Sequence, residues 1–172
     1  MINYRAFIVG VKTTRLTQKE KKFLKKYKPW GVILFTRNIK NIKQTRELTT
    51  SIRKIFGNNK YPILIDQEGG RVNRLKTLIS FDNLTSEFFG KKFITNSKEF
   101  SPFYKLFIDK TSQLLKLIGV NINTSPVLDL RVKGSSNIIG DRSFSYNPKI
   151  VSKIGDFCIN NYHQNGIATV IK

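Results

Sequence analysis

The sequence predicts an α/β fold, a TIM-like (β/α)8 barrel of which only about the first half is here, built from parallel strands with helical crossovers. Three observations predict it. Short apolar runs alternate with amphipathic segments along the whole chain, in the order β-α-β-α-β-(long loop)-α-β-(long loop)-α-β. Alternation of this kind requires parallel strands with crossovers. The strands run straight into polar residues, most densely at 62–74, where Pro-Ile-Leu-Ile gives way to Asp66-Gln67-Glu68-Gly69-Gly70-Arg71-Val72-Asn73-Arg74. That change from buried strand to dense polar chemistry belongs to the C-terminal mouth of an α/β sheet. Finally, no Gly-x-Gly-x-x-Gly follows the first strand, which counts against a dinucleotide-binding doubly wound sheet. A doubly wound sheet and a barrel both fit the alternation, but a whole barrel needs roughly 200 residues or more. The chain has 172, so it reads as a single, C-terminally truncated domain over 1–172, about half a barrel plus one uncovered strand.

Residues 4–11 form the first apolar run. Thr17-x-x-Glu20 is a capping-box pattern opening a helix with Phe23, Leu24 and Tyr27 on one face, ended by Pro29. Trp-Gly-Val-Ile-Leu-Phe at 30–35 is the second strand, leaving through Thr36-Arg37-Asn38. A helix from about Asn41 carries Ile42, Thr45, Leu48, Ile52 and Ile55 at helical spacing, and Gly57-Asn58-Asn59 stops it. After the central strand at 62–65, residues 76–99 hold aromatics without a clean period and are expected to be a long connection with a helical turn or two. Phe103, Phe107, Thr111, Leu114 and Ile118 mark the next helix, closed by Gly119. Residues 120–129 predict a strand with Asp129 at its polar exit. A Gly- and Ser-rich loop over 131–146 follows, and Asn147-Pro148 supplies an N-cap and first helical residue. That last helix turns Ile150, Val151, Ile154, Phe157 and Cys158 inward, and residues 168–172 begin one more strand.

Composition excludes several classes. A content of 40% hydrophobic residues excludes general disorder. The N-terminal apolar run is too short for a signal peptide, and no run approaches the roughly 18 apolar residues of a membrane span. The single cysteine, Cys158, allows no internal disulfide. These features predict a cytoplasmic protein with no membrane partner and no cofactor. The net charge of +20 is attractive to polyanions. Zinc-finger spacing, an RNP-like segment and an Arg-rich arm are all absent from the sequence, so specific nucleic-acid binding is not expected.

Four segments carry a resemblance: Gly31-Val32-Ile33-Leu34-Phe35-Thr36-Arg37-Asn38, the Ile65-Asp66-Gln67-Glu68-Gly69-Gly70-Arg71-Val72-x-Arg74 run, Ser125-Pro126-Val127-Leu128-Asp129, and Ile139-Gly140-Asp141-Arg142-Ser143-Phe144. In this order and at these separations they resemble the bacterial cytoplasmic β-N-acetylhexosaminidases of glycoside hydrolase family 3, enzymes of cell-wall recycling. The resemblance implies a TIM-like barrel whose site gathers at the strand C-termini. It further implies that Asp66, Arg74, Arg142 and Lys172 bind the terminal N-acetylglucosamine of a saccharide substrate. A carboxylate accepts from neighbouring hydroxyls, and Arg and Lys donate to hydroxyl and carbonyl oxygens.

In the family, the lysine matching Lys172 is followed by a His-Phe-Pro-Gly-His-Gly run. A nearby loop supplies an acid/base His with an Asp partner, and a later strand supplies the Asp nucleophile. This sequence ends at Lys172, so no catalytic residue is assigned within it. His163, the only histidine, is read as structural. Asp66 and Glu68 are expected to point apart rather than flank one bond, and nothing marks Asp129 as a nucleophile. The resemblance therefore implies a β-N-acetylglucosaminidase acting on peptidoglycan fragments by double displacement, with the 172-residue chain inactive alone. A non-catalytic sugar-binding or decayed half-barrel is the alternative, and a polyanion-binding protein a third.

Overall fold

The computed structural model describes residues 3–132, 134 and 137–172. Five strands form one sheet: β1 (Arg5–Gly10), β2 (Pro29–Leu34), β3 (Ile63–Ile65), β4 (Ile122–Asn123) and β5 (Ala168–Thr169). Their order in the sheet is β1-β2-β3-β4-β5 and every pairing is parallel. This order decides between the two architectures. A doubly wound sheet reverses direction at a switch point, whereas strands that add always to the same edge wind one way, as a barrel does. The sheet is the first half of such a barrel. Register aligns the strand exits, with Leu34 opposite Ile65, Ile65 opposite Asn123 and Asn123 opposite Thr169. Asp66, Thr124 and the 170–172 segment therefore leave the sheet at one end.

The crossovers are α1 (Gln18–Tyr27), α2 (Ile42–Phe56), α3 (Ser86–Thr95), α4 (Ser97–Ile118) and α5 (Pro148–Gln164). Their starts follow local chemistry. Thr17 and Glu20 form the reciprocal capping box. The Asn41 side chain accepts from the Gln44 amide, and Asn147 caps a helix whose first residue is Pro148. Lys28 and Gly57 close α1 and α2 in the left-handed conformation. Of the face expected on α1, only Leu24 is buried; Phe23 is exposed and Tyr27 half-buried, their rings tilted against each other at 4.7 Å.

Val32, Leu34, Ile63 and Ile65 are buried on the face of the sheet turned to the helices, and Leu64 is buried on the opposite face. Leu48, Ile52 and Phe56 of α2, Ile108, Leu115 and Ile118 of α4, and Ile154, Cys158 and Tyr162 of α5 cover the helix-facing side. Burial pushes the Cys158 thiol up to about 12, so it is a packing residue rather than a nucleophile. Among the described residues no helix is long and apolar enough to cross a membrane.

Two expectations are corrected. Residues 76–99 are not mainly a connection: they contain all of α3 and the start of α4, and Asn96 serves both helices at once. Its amide donates to Lys92 at 2.9 Å, closing α3, and its side chain accepts from Glu99 at 3.2 Å, opening α4. The strand expected over 120–129 shrinks to Ile122–Asn123, after which the Ser125–Pro126 peptide is cis. The described residues of 131–146 are irregular apart from one 3-10 turn, Gly140–Arg142. Ser135 and Ser136 of that predicted loop lie outside the described residues, as do Met1, Ile2 and Lys133.

Candidate functional site

Asp66 is the first residue beyond β3. Its backbone position is set by its neighbour Gln67, which is wholly buried and bonded on every side. The Gln67 amide donates to Asn123 Oδ1 at 3.0 Å, and the Gln67 carbonyl accepts from Asn123 Nδ2 at 2.9 Å. The Asn123 side chain thus stands in for a ladder partner where the β3–β4 pairing stops. Gln67 Oε1 accepts from the Arg74 and Leu75 amides at 2.9 and 3.1 Å, and Gln67 Nε2 donates to Asn73. One side chain thereby folds the 66–75 segment into a fixed loop. The Glu68 amide donates to the Val72 carbonyl and the Val72 amide to the Gly69 carbonyl. Gly69 and Gly70 both have positive φ, and a Cβ on Gly69 would lie 2.2 Å from the Leu84 carbonyl oxygen.

All four predicted binding residues meet at this loop. Lys172 Nζ donates to Asp66 Oδ1 at 2.6 Å and lies 2.8 Å from Glu68 Oε1. Arg142 grips Glu68 in a fork, Nε to Oε2 at 2.8 Å and Nη2 to Oε1 at 3.0 Å. Arg74 is the loosest member. Its Nη2 stands 3.7 Å from Asp66 Oδ2, its guanidinium lies over the Phe35 ring at 5.7 Å, and its Nε is buried without a hydrogen bond. Lys172 is held by its backbone as well, since its amide donates to the Pro126 carbonyl and its carbonyl accepts from the Leu128 amide at 2.7 Å.

Sequence reasoning missed two participants. Thr124, the residue after β4, donates its hydroxyl to Asp66 Oδ1 and lies 3.3 Å from Lys172 Nζ. Glu68 joins the cluster with only 3% of its side chain exposed. The expectation that Asp66 and Glu68 point apart is overturned, because both bond the same Lys172 ammonium. Residues two apart on extended chain share a face, and that alternation was the available signal. Thr124 carries no motif, and only its place at a strand exit could have flagged it.

The electrostatics follow from the contacts. Burial raises the Asp66 carboxyl, but the bonds from Lys172 and Thr124 and the charges of Lys172 and Arg74 outweigh it, leaving the group below its ordinary value. The Glu68 fork holds Arg142 above its own. Two carboxylates facing three cations make a polar, partly water-excluded lining whose donors and acceptors can be exchanged for vicinal hydroxyls. The Asp66 carboxyl, held below its ordinary value by its cations, is not set up here as a proton donor. His163 is remote in role: its Nε2 meets Thr169 Oγ1 at 3.1 Å at an exposed end of α5. Asp129 is exposed, and its carbonyl accepts from Ser143 Oγ. Among the described residues no three His, Cys, Asp or Glu side chains gather to hold a metal ion.

Comparison with known proteins agrees with the half-barrel fold. A β-hexosaminidase of Hydrogenovibrio crunogenus is 36% identical over 165 residues, spanning 96% of this chain and 45% of that one. The native NagZ structure from Neisseria gonorrhoeae superposes with a TM-score of 0.88 at 26% identity, over 99% of this chain and 49% of NagZ. The same enzyme in complex with N-trifluoroacetyl-D-glucosamine superposes at 0.82 with 26% identity, over 99% and 51% of the two chains. The chain thus spans about half the length of the relatives it matches. Residues 5–172 match the glycosyl hydrolase family 3 N terminal domain, and the chain belongs to that family.

Proposed function

We propose that residues 1–172 are the sugar-holding first half of one barrel domain in a retaining β-N-acetylglucosaminidase. The observation that carries this reading is the convergence of Asp66, Arg74, Arg142 and Lys172 at the strand exits. In it, Asp66 accepts from two ring hydroxyls of a terminal N-acetylglucosamine, while Lys172 and Arg142 donate to hydroxyl and carbonyl oxygens. Thr124 keeps Asp66 oriented, and Glu68 keeps Arg142 and Lys172 oriented. The similarity to β-hexosaminidases and to a NagZ solved with a glucosamine derivative supports this substrate class. The physiological substrate in this reading is a peptidoglycan fragment, processed in the cytoplasm during cell-wall recycling.

Retaining hydrolysis needs an acid/base and a nucleophile flanking one bond, about 5 Å apart when both are carboxylates. Asp66 and Glu68 are both engaged with cations, so in this reading they bind rather than cleave. The acid/base His with its Asp partner and the Asp nucleophile then come from polypeptide outside residues 1–172, and residues 1–172 alone hold sugar without hydrolysing it. The test is release of aglycone from a chromogenic β-N-acetylglucosaminide by the full gene product, with Asp66→Ala losing at least a hundredfold in kcat/KM. Saccharide binding without any release by the full product would favour a non-catalytic sugar-binding protein. Neither binding nor release would overturn both readings.

A further inference from the structure

We propose that Arg71 is the positioning residue of this site, docking the 137–142 segment on the Gly69-Gly70 turn and so aiming Arg142 at Glu68. Arg71 makes no bond to Asp66 or Glu68 among those described. Its side chain crosses instead to the other loop, where Nη2 meets the carbonyls of Asn137, Ile138 and Ile139 at 2.7, 2.6 and 2.9 Å. Its Nε lies 3.0 Å from Asp141 Oδ1. Successive carbonyls turned onto one nitrogen, with a carboxylate on the other side of the guanidinium, fix a turn in a way that a point charge cannot.

The clamp connects directly to the site. The Ile139 carbonyl that accepts from Arg71 also accepts from the Arg142 amide at 2.8 Å, the bond that forms the 3-10 turn. Gly140, at φ +43°, sits between them, and a Cβ there would stand 3.3 Å from Arg71 Nη2. The turn therefore wraps closely around the guanidinium and presents the Arg142 fork to Glu68 on its far side. The segment's outer anchors are separate: Arg131 bonds Glu87 on α3, and Ser143 Oγ donates to Asp129 at 2.7 Å. They hold the loop's ends, α3 packs against the Gly140–Arg142 turn, and Arg71 ties the successive carbonyls of 137–139 to the Gly69-Gly70 loop. Arg71 and Asp141 are both partly exposed, at 45% and 36% of their side chains. The clamp lies outside the core, so its loss should loosen the turn without unfolding the sheet.

The saccharide part of this inference rests on the proposed function; the loop-docking part does not. Hydrogen exchange across 137–146 and titration with N-acetylglucosamine are measured on the purified wild-type protein, Arg71→Ala and Arg71→Lys. Arg71→Ala is expected to speed exchange of the Arg142 and Ser143 amides about tenfold or more, to leave α2 and α4 protected, and to weaken saccharide binding on the order of tenfold. Arg71→Lys keeps the charge toward Asp141 but cannot reach all three carbonyls, so it recovers only part of both. Unchanged exchange over 137–146 in Arg71→Ala overturns the proposal, and so does loss of protection spread through α2 and α4. A wild-type protein that binds no saccharide overturns the proposed function instead, while the exchange measurement still decides the clamp.

Discussion

Asp66 is held ionised against its own burial, which has a consequence for acid stability. Its folded-state pKa lies below the roughly 3.9 of an unfolded Asp, lowered by Lys172, Thr124 and Arg74 in spite of desolvation. The stabilisation linked to this shift is present above the unfolded pKa and is lost as pH falls through the folded one. Urea midpoints of wild type and Asp66→Asn should therefore converge as the pH falls below about 4, with the wild type falling more steeply. Parallel curves would mean that the carboxylate is not coupled to its cations. Gln67 beside it is a different kind of residue, buried and important for shape rather than charge. Gln67→Leu keeps most of the volume but leaves the Arg74 and Leu75 amides without their acceptor and Asn73 without its donor. At about 1–3 kcal/mol per buried orphan, the three together predict a loss of at least about 3 kcal/mol in chemical denaturation. A cost under about 1 kcal/mol would show that the loop re-forms those bonds elsewhere.

Among the elements, α3 is the one that the sequence hid, and it is the buttress of the Arg142 loop. Gly90 lies in its middle against the Phe144 backbone, where an added Cβ would fall 1.7 Å from the Phe144 carbonyl oxygen. Elsewhere in a helix, Gly to Ala gains about 1 kcal/mol. Here the helix or the loop must separate, and overpacking of this kind costs typically about 1–3 kcal/mol and sometimes more. Gly90→Ala should thus destabilise the protein and displace 140–146, read as a lowered urea midpoint with faster exchange in that loop. A stabilised variant would contradict the close approach. The same glycine explains why α3 was illegible: its contact face is defined by backbone proximity and by Phe88, Phe89 and Phe93, not by an aliphatic period. Asn96 then joins α3 to α4 without the Gly or Pro punctuation that marks a boundary. Where capping chemistry is written in the chain, at Thr17-x-x-Glu20, Asn41 and Asn147-Pro148, the helix starts were readable. The site divides likewise. Asp66 stands at a strand exit, whereas Arg74, Arg142 and Lys172 were legible through the resemblance to the family. Asn123 and Thr124 owe their roles to the lateral register between strands, which no single stretch of sequence contains.

At the scale of the molecule, 31 Lys and Arg face 11 Asp and Glu. Whatever the arrangement, most cations have no carboxylate to meet, and several acids are already committed at the site or on α3 and α4. Two effects of salt then oppose each other. Screening weakens the exposed pairs, such as Lys105 with Asp109, each worth about 1 kcal/mol or less. Screening also relieves the repulsion among the unmatched cations of a +20 chain. The site pairs, with Glu68 nearly enclosed, are screened least. Relief should win, so the thermal midpoint is expected to rise by several degrees between about 10 and 300 mM NaCl, most steeply while the Debye length shrinks from about 30 to 10 Å. Sodium chloride is the right probe because sulfate would stabilise by exclusion from the surface regardless of charge. The same titration separates repulsion from recognition. If the charge exists to hold a polyanion, binding of a nucleic-acid duplex should fall steeply with salt, with a log–log slope that counts the phosphates engaged. A rising thermal midpoint with a flat binding slope would leave the charge as a solvated surface and the cluster around Asp66 as the place where ligand chemistry is concentrated.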